Sequence, residues 1–147
     1  MKAINSFLEE SKVQIIKNAD AQGRNKSGKI GDSMEVTQEG DVHTLLGWKW
    51  IANAWETGRG KTVNGGDGAV RRGVEKWVAD NNITPRDNIS TKSMIYLITR
   101  KIHEKGTQLH IQGGKSGVIS NVINETRLNK LANDLAIEYS SEILRLL

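Results

Sequence analysis

Apolar residues recur along this chain with two periods, and the switches between them mark the elements. Over about Lys2 to Ala21, Ile4, Phe7, Leu8, Ile15 and Ile16 fall roughly on one helical face. Gly23-Arg24-Asn25-Lys26-Ser27-Gly28-Lys29 then breaks the pattern with glycine and cations. Next, Met34 and Val36 alternate with Ser33, Glu35 and Thr37, and Val42 and Leu45-Leu46 follow Glu39-Gly40-Asp41. Two β-prone runs around such a turn predict a hairpin. Trp50, Ile51, Ala54 and Trp55 then share one face of a short helix.

The second half repeats the alternation of helix and glycine loop. A long loop, Gly58 to Gly68, lacks bulky core residues and is expected to be mobile or functional. Val70, Val74, Trp77 and Val78 recur at helical spacing, until Asp80-Asn81-Asn82 and Pro85 stop them. Ser90 reads as the N-cap of a helix with Met94, Ile95, Ile98 and Ile102 inward and Gly106 as its stop. Thr107-Gln108-Leu109-His110-Ile111-Gln112 alternates like a strand, and Gly113 to Gly117 forms a second glycine loop. Leu128, Leu131, Ala132, Leu135, Ala136, Tyr139, Ile143 and Leu146 trace one face of a long C-terminal helix. No internal repeat is present. The pattern predicts one α+β domain over 1–147: a small antiparallel twisted sheet packed by helices, with a long amphipathic C-terminal helix. Within it lie an N-terminal helix (1–22), a flexible basic break (23–29) and a main body (30–147).

Composition narrows the chemistry. The absence of cysteine excludes disulfides, thiol catalysis and cysteine-ligated zinc, and fits a reducing compartment. The longest apolar runs fall far short of the roughly 20 residues of a bilayer span, so no membrane partner is expected. Glu9 and Glu10 fall where a signal peptide needs apolar residues, which argues against secretion. The net charge of +4 permits contact with nucleic acid or an acidic surface without demanding it.

Candidate catalytic patterns fail on spacing. Gly60-Lys61-Thr62 and Gly114-Lys115-Ser116 mimic a phosphate loop, but Trp55 and Leu109 stand where its first glycine belongs. His43, His103 and His110 lack metal-ligand spacing and read as surface or sheet-edge residues. No Gly-x-Ser-x-Gly elbow exists. No catalytic residue, metal or cofactor is assigned.

Interaction is the better prospect. Three of the four tryptophans lie between Trp48 and Trp55. Trp55 and Trp77 fit core stripes, whereas Trp48, at a strand end, suits a half-exposed anchor. Arg59 either pairs back to Glu56 at i, i+3 or reaches, with Lys61, an acidic partner; the sequence leaves both open. Arg71-Arg72 with Lys76 reads as the wet side of a helix, with phosphate contact as the alternative.

Several motifs occur in a telling order. Ser27-Gly28-Lys29 leads into a strand with Ser33; a tryptophan-bearing helix ends in Glu56-Thr57-Gly58-Arg59; a helix ends in Trp77-Val78, followed by Ile83. A helix from Met94 then finishes Lys101-Ile102-x-x-x-Gly106-Thr107, and a long amphipathic helix closes the chain. From about Ser27 onward this resembles the tail-completion, or head–tail joining, proteins of tailed bacteriophages. Two features differ: Gly-Lys-Thr and a glycine cluster replace a proline-rich run after Arg59, and a tryptophan stands where tyrosine is commoner.

The resemblance implies a twisted sheet flanked by helices and a non-enzymatic structural virion protein. It implies a homo-oligomeric ring at the neck, between portal or adaptor proteins and the tail, in transient non-specific contact with channel DNA. Its expected location is the virion neck, and the host cytoplasm during assembly. Trp48, Arg59, Lys61 and Arg71 are the interface candidates. The competing reading is a small basic DNA-binding module using Arg24, Lys26, Lys29 and Arg71-Arg72. An enzyme with an unrecognised glycine-loop site is the weakest alternative.

Overall fold

A computed structural model describes residues 2–48, 51–63 and 66–146. The fold is α+β. It divides into two compact units: Met1–Glu56 with Lys115–Leu147, and Thr57–Gly114.

The first unit begins with α1 (Lys2–Ala21) and a short α2 (Lys29–Asp32). Strands β1 (Glu35–Glu39) and β2 (Val42–Leu46) then pair antiparallel, with Val36 opposite Leu45 and Thr37 opposite Thr44. Gly40 takes φ 59° in the turn between them, a conformation that costs glycine least. A two-stranded sheet is marginal alone. Here Met34 and Leu45 pack against a core of Ile15, Ala19, Trp55, Val118 and Val122.

The tryptophan segment winds as a π-helix, Ala52–Thr57. This wider winding changes which residues share a face. Trp55 is fully buried as the sequence suggests and Ile51 half-buried, but Ala54 is exposed. Trp50, assigned to the same face, lies outside the described residues.

The long helix α6 (Glu125–Leu146) runs antiparallel to α1. At one end Arg127 lies 3.7 Å from Glu10, with its guanidinium 5.2 Å from the Phe7 ring centre. At the other, the Glu138 carboxylate accepts from the backbone N–H groups of Lys2 (2.7 Å) and Ala3 (3.0 Å). These bonds from Ala3 and Lys2 hold its pKa below the usual carboxylate value, as expected of an anion at a helix N-terminus. Residues 139–146 therefore run on past the first described turn of α1. The α6 face does not become core: none of its described residues is fully buried. Helix α1 covers only the edge holding Leu131 and Leu135, which are half-buried, while Leu128, Tyr139, Ile143 and Leu146 stay exposed.

The second unit is built on α3 (Ala69–Asp80) and α4 (Thr91–Lys105). Val70, Val74 and Val78 face Ile83, Met94, Ile95, Ile98 and Ile102. Trp77, expected in this core, is 49% exposed. The valines at i, i+4 and i+8 define the contact line, and position 77 falls about 60° to its side. Helix α3 ends in a Schellman turn: Asn82 adopts φ 50°, and Ile83 donates to the Val78 carbonyl (3.0 Å). As expected, Ser90 caps α4, its hydroxyl accepting from Ser93 N–H (3.0 Å), and Gly106 terminates it.

Residues 107–112 are not a strand. Gln108–Ile111 form a short helix, α5, with Ile111 and Gln112 N–H groups turning back to Thr107 and Gln108. A run this short satisfies either period, and no described strand lies beside it to supply a ladder. No described helix is long and apolar enough to cross a membrane.

Candidate interaction surfaces

In the second unit, two glycine motifs far apart in sequence meet backbone to backbone. Arg59 N–H donates to Thr107 Oγ1 (2.9 Å), and Thr107 N–H donates to the Arg59 carbonyl (2.8 Å). Three residues on, Thr62 N–H donates to the His103 carbonyl (3.0 Å), and Thr62 Oγ1 lies 2.6 Å from His103 Nδ1. The segment 59–62 is thus clamped along the end of α4.

Glycine is required on both sides of the clamp. A Cβ at Gly58 would stand 2.5 Å from His110 N, and one at Gly106 would stand 2.7 Å from the Arg59 carbonyl oxygen. Both residues also take positive φ, 73° and 86°. The described part of this loop is therefore pinned at its start; Asn64 and Gly65 lie outside the described residues.

The candidate residues divide between the units. Trp48 belongs to the first; it is 44% exposed, and its N–H lies 3.4 Å from Ser33 Oγ. Arg59, Lys61 and Arg71 belong to the second and are all exposed. Lys61 sits between the clamps at Arg59 and Thr62. Arg71 pairs with Glu75 (2.8 Å), Lys76 with Asp80 (2.7 Å) and Arg100 with Glu104 (2.7 Å), each one helical turn away. This matches the wet-side reading of Arg71-Arg72-Lys76. Asp67 lies near both Arg59 and Arg72. Its carboxyl is held below the usual range by the Ala69 N–H first, and then by those two guanidiniums.

Glu56, the residue offered to Arg59 at i, i+3, is engaged elsewhere. Its carboxylate accepts from Ile119 N–H (2.8 Å), Ser120 Oγ (2.6 Å) and Gly117 N–H (3.3 Å) in the first unit. Burial alone would raise its pKa; the donors from Ser120, Ile119 and Gly117 outweigh burial and hold it below the usual value. Next to it, Trp55 Nε1 donates to the Arg24 carbonyl (3.1 Å), and Ser116 Oγ donates to the Trp55 carbonyl. Sequence reasoning missed this cradle. The available signal was the Ser116-Gly117-x-x-Ser120 run, whose donors need an acceptor.

The histidines occupy three different settings. His43 is half-buried in β2, with Nδ1 2.7 Å from Asn5 Oδ1; His103 is half-buried beneath Thr62; His110 is exposed on α5. Among the described residues, no three His, Asp or Glu side chains gather as a metal site requires. A shallow groove of about 410 Å³ beside α1 is lined by amides that bond within the unit: Gln14 to Asn18, Asn18 to the Val118 carbonyl and Gln22 to the Ser116 carbonyl. Compared with known proteins, the chain matches no family model, no curated protein and no solved structure.

Proposed function

We propose that this protein is a non-enzymatic structural component of a tailed-phage neck, a head–tail connector or tail-completion protein assembling as a ring between portal-side and tail-side proteins. One observation carries the reading. The two motifs on which the resemblance chiefly rests, Glu56-x-Gly58-Arg59 and Lys101-Ile102-x-x-x-Gly106-Thr107, are distant in sequence yet lock together through the Arg59–Thr107 clamp. The clamp supports one shared purpose: holding Arg59 and Lys61 at a fixed, exposed loop where a neighbouring virion protein can dock.

The DNA-binding alternative is weakened by the ion pairs. Arg71 and Lys76 already face Glu75 and Asp80, which lowers the field a phosphate would meet. A salt-dependent complex with duplex DNA in sedimentation velocity would restore that alternative.

The test is a double charge reversal, Arg59→Glu with Lys61→Glu, in a complementation assay of neck assembly. Both side chains are exposed, so the circular dichroism spectrum should be unchanged while tail attachment is lost. Particles that join head to tail at the normal yield would sink the proposal.

A further inference from the structure

Strand β2 leaves one backbone edge unpaired. Glu39 and Val42 flank a two-residue turn and so form a hydrogen-bonded pair. By alternation, Val42, Thr44 and Leu46 turn their backbone N–H and C=O groups to β1, and His43 and Leu45 turn theirs outward. Among the described residues, nothing bonds those outward groups. The sheet has no third described strand to take them.

The outer edge of β1, at Val36 and Gln38, is open as well, but the side chains beside the two edges differ. His43 and Leu45 face α1 and the core. The opposite face carries Glu35, Thr37 and Glu39 on β1, and Val42, Thr44 and Leu46 on β2. Glutamates at both ends of β1 blunt its edge. Strand β2 contains no lysine, arginine or proline, and its register is unbroken. Val42 and Leu46 are 65% and 44% exposed, and the half-exposed Trp48 follows just beyond.

We propose that β2 is a docking edge for an extended segment of a different protein, which joins the hairpin as an added strand. Its backbone pairs with His43 and Leu45. Its alternate apolar side chains cover Val42 and Leu46, and lysine or arginine flank them.

Charge selects this occupant. Residues 30–48 hold Asp32, Glu35, Glu39 and Asp41 and no lysine or arginine, in a chain of net charge +4. Glu35, Glu39 and Asp41 are exposed, and no described cation pairs with them. An added strand would run about 10 Å from β1, within one Debye length at about 0.1 M salt. The same charges disfavour a second copy. Two β2 edges pairing would bring two acidic hairpins together, and neither strand carries a lysine or arginine to offset them. The inference goes beyond the neck reading and stands without it, since Arg59 and Lys61 belong to the second unit.

The experiment is an NMR titration with amide hydrogen exchange on the full chain. The probe is the end-blocked peptide Lys-Thr-Val-Thr-Val-Thr-Val-Thr-Lys, whose valines and lysines share one face of a strand. Its counterpart has glutamate in place of each lysine. The lysine peptide should bind and slow exchange at the His43 and Leu45 amides, leaving Val36 and Gln38 unchanged. Val42→Lys, at an exposed position, should lose the peptide and keep the wild-type circular dichroism spectrum. Glu35→Gln with Glu39→Gln should weaken binding and flatten its salt dependence. This second variant keeps the test decisive if Val42→Lys loses its fold.

No binding of the lysine peptide up to its solubility limit would overturn the proposal. So would protection at Val36 and Gln38 in place of His43 and Leu45. Equal binding of the glutamate peptide would overturn the basic partner. Protection of His43 and Leu45 that rises with protein concentration alone would hand the edge to a second copy and overturn the proposed occupant.

Discussion

The first unit closes its core around a fully buried indole; the second closes around three valines that each stay 6–8% exposed. In the first, Trp55 touches residues from both ends of the chain, its Nε1 bonds the Arg24 carbonyl, and Glu56 beside it gathers the donors of 117–120. In the second, one helix pair supplies the apolar contact, and backbone clamps at Arg59 and Thr62 hold the loop. Large side chains with satisfied polar tips fix a unit in one arrangement. Small aliphatic stripes hold helices together while leaving the loops to hydrogen bonds and glycine geometry. The second unit thus keeps its charged loop outward on a modest core, and the first carries more of the burial.

The sharpest way to break this comparison is Trp55→Ala. It should cost about 3–5 kcal/mol in denaturant unfolding, from the cavity and the unpaired Arg24 carbonyl. Hydrogen exchange should then quicken mainly in residues 2–56 and 115–146. Equal loss of protection in α3 and α4 would mean that the units melt as one.

Next in size is Glu56→Gln, at about 1.5–3 kcal/mol near neutral pH, since charge-assisted bonds to partly buried donors are lost. Glu56 titrates below the 4.5 of an unperturbed glutamate when folded. Its contribution is therefore complete above that value and lost as pH falls through the folded pKa. The stability gap between wild type and variant should close on acidification, and a gap constant with pH would remove the cradle from the account. Smallest is Trp77→Ala, expected within about 0.5 kcal/mol because the indole lies outside the valine line. A loss as large as that of Trp55→Ala would place it in the core after all.

Local rules made much of the fold legible. Helix α4 was readable because its cap, stripe and stop lie within one short stretch: Ser90, then Met94 to Ile102, then Gly106. The hairpin was readable because alternation and a Gly-Asp turn coincide. Residues 107–112 were not, because a strand needs a neighbour and a short run cannot announce one. Trp55 and Trp77 look equivalent in sequence, and only packing separates them. The exposed Arg59–Lys61 loop followed from glycine and charge, but its clamp to Thr107 joins positions that no local period connects.

By itself, the sequence determined the helical periods, the hairpin, the caps and the placing of cations in a glycine-rich loop. These depend on neighbours a few residues away, where backbone sterics and amphipathicity act. Tertiary structure alone decided which tryptophan is core, that Glu56 serves residues 117–120, that the two glycine motifs meet, and that α1 covers one edge of α6 and leaves Leu128, Tyr139, Ile143 and Leu146 exposed. Each of these depends on which surfaces arrive opposite one another, and periodicity carries the direction a residue faces without the identity of what it will face.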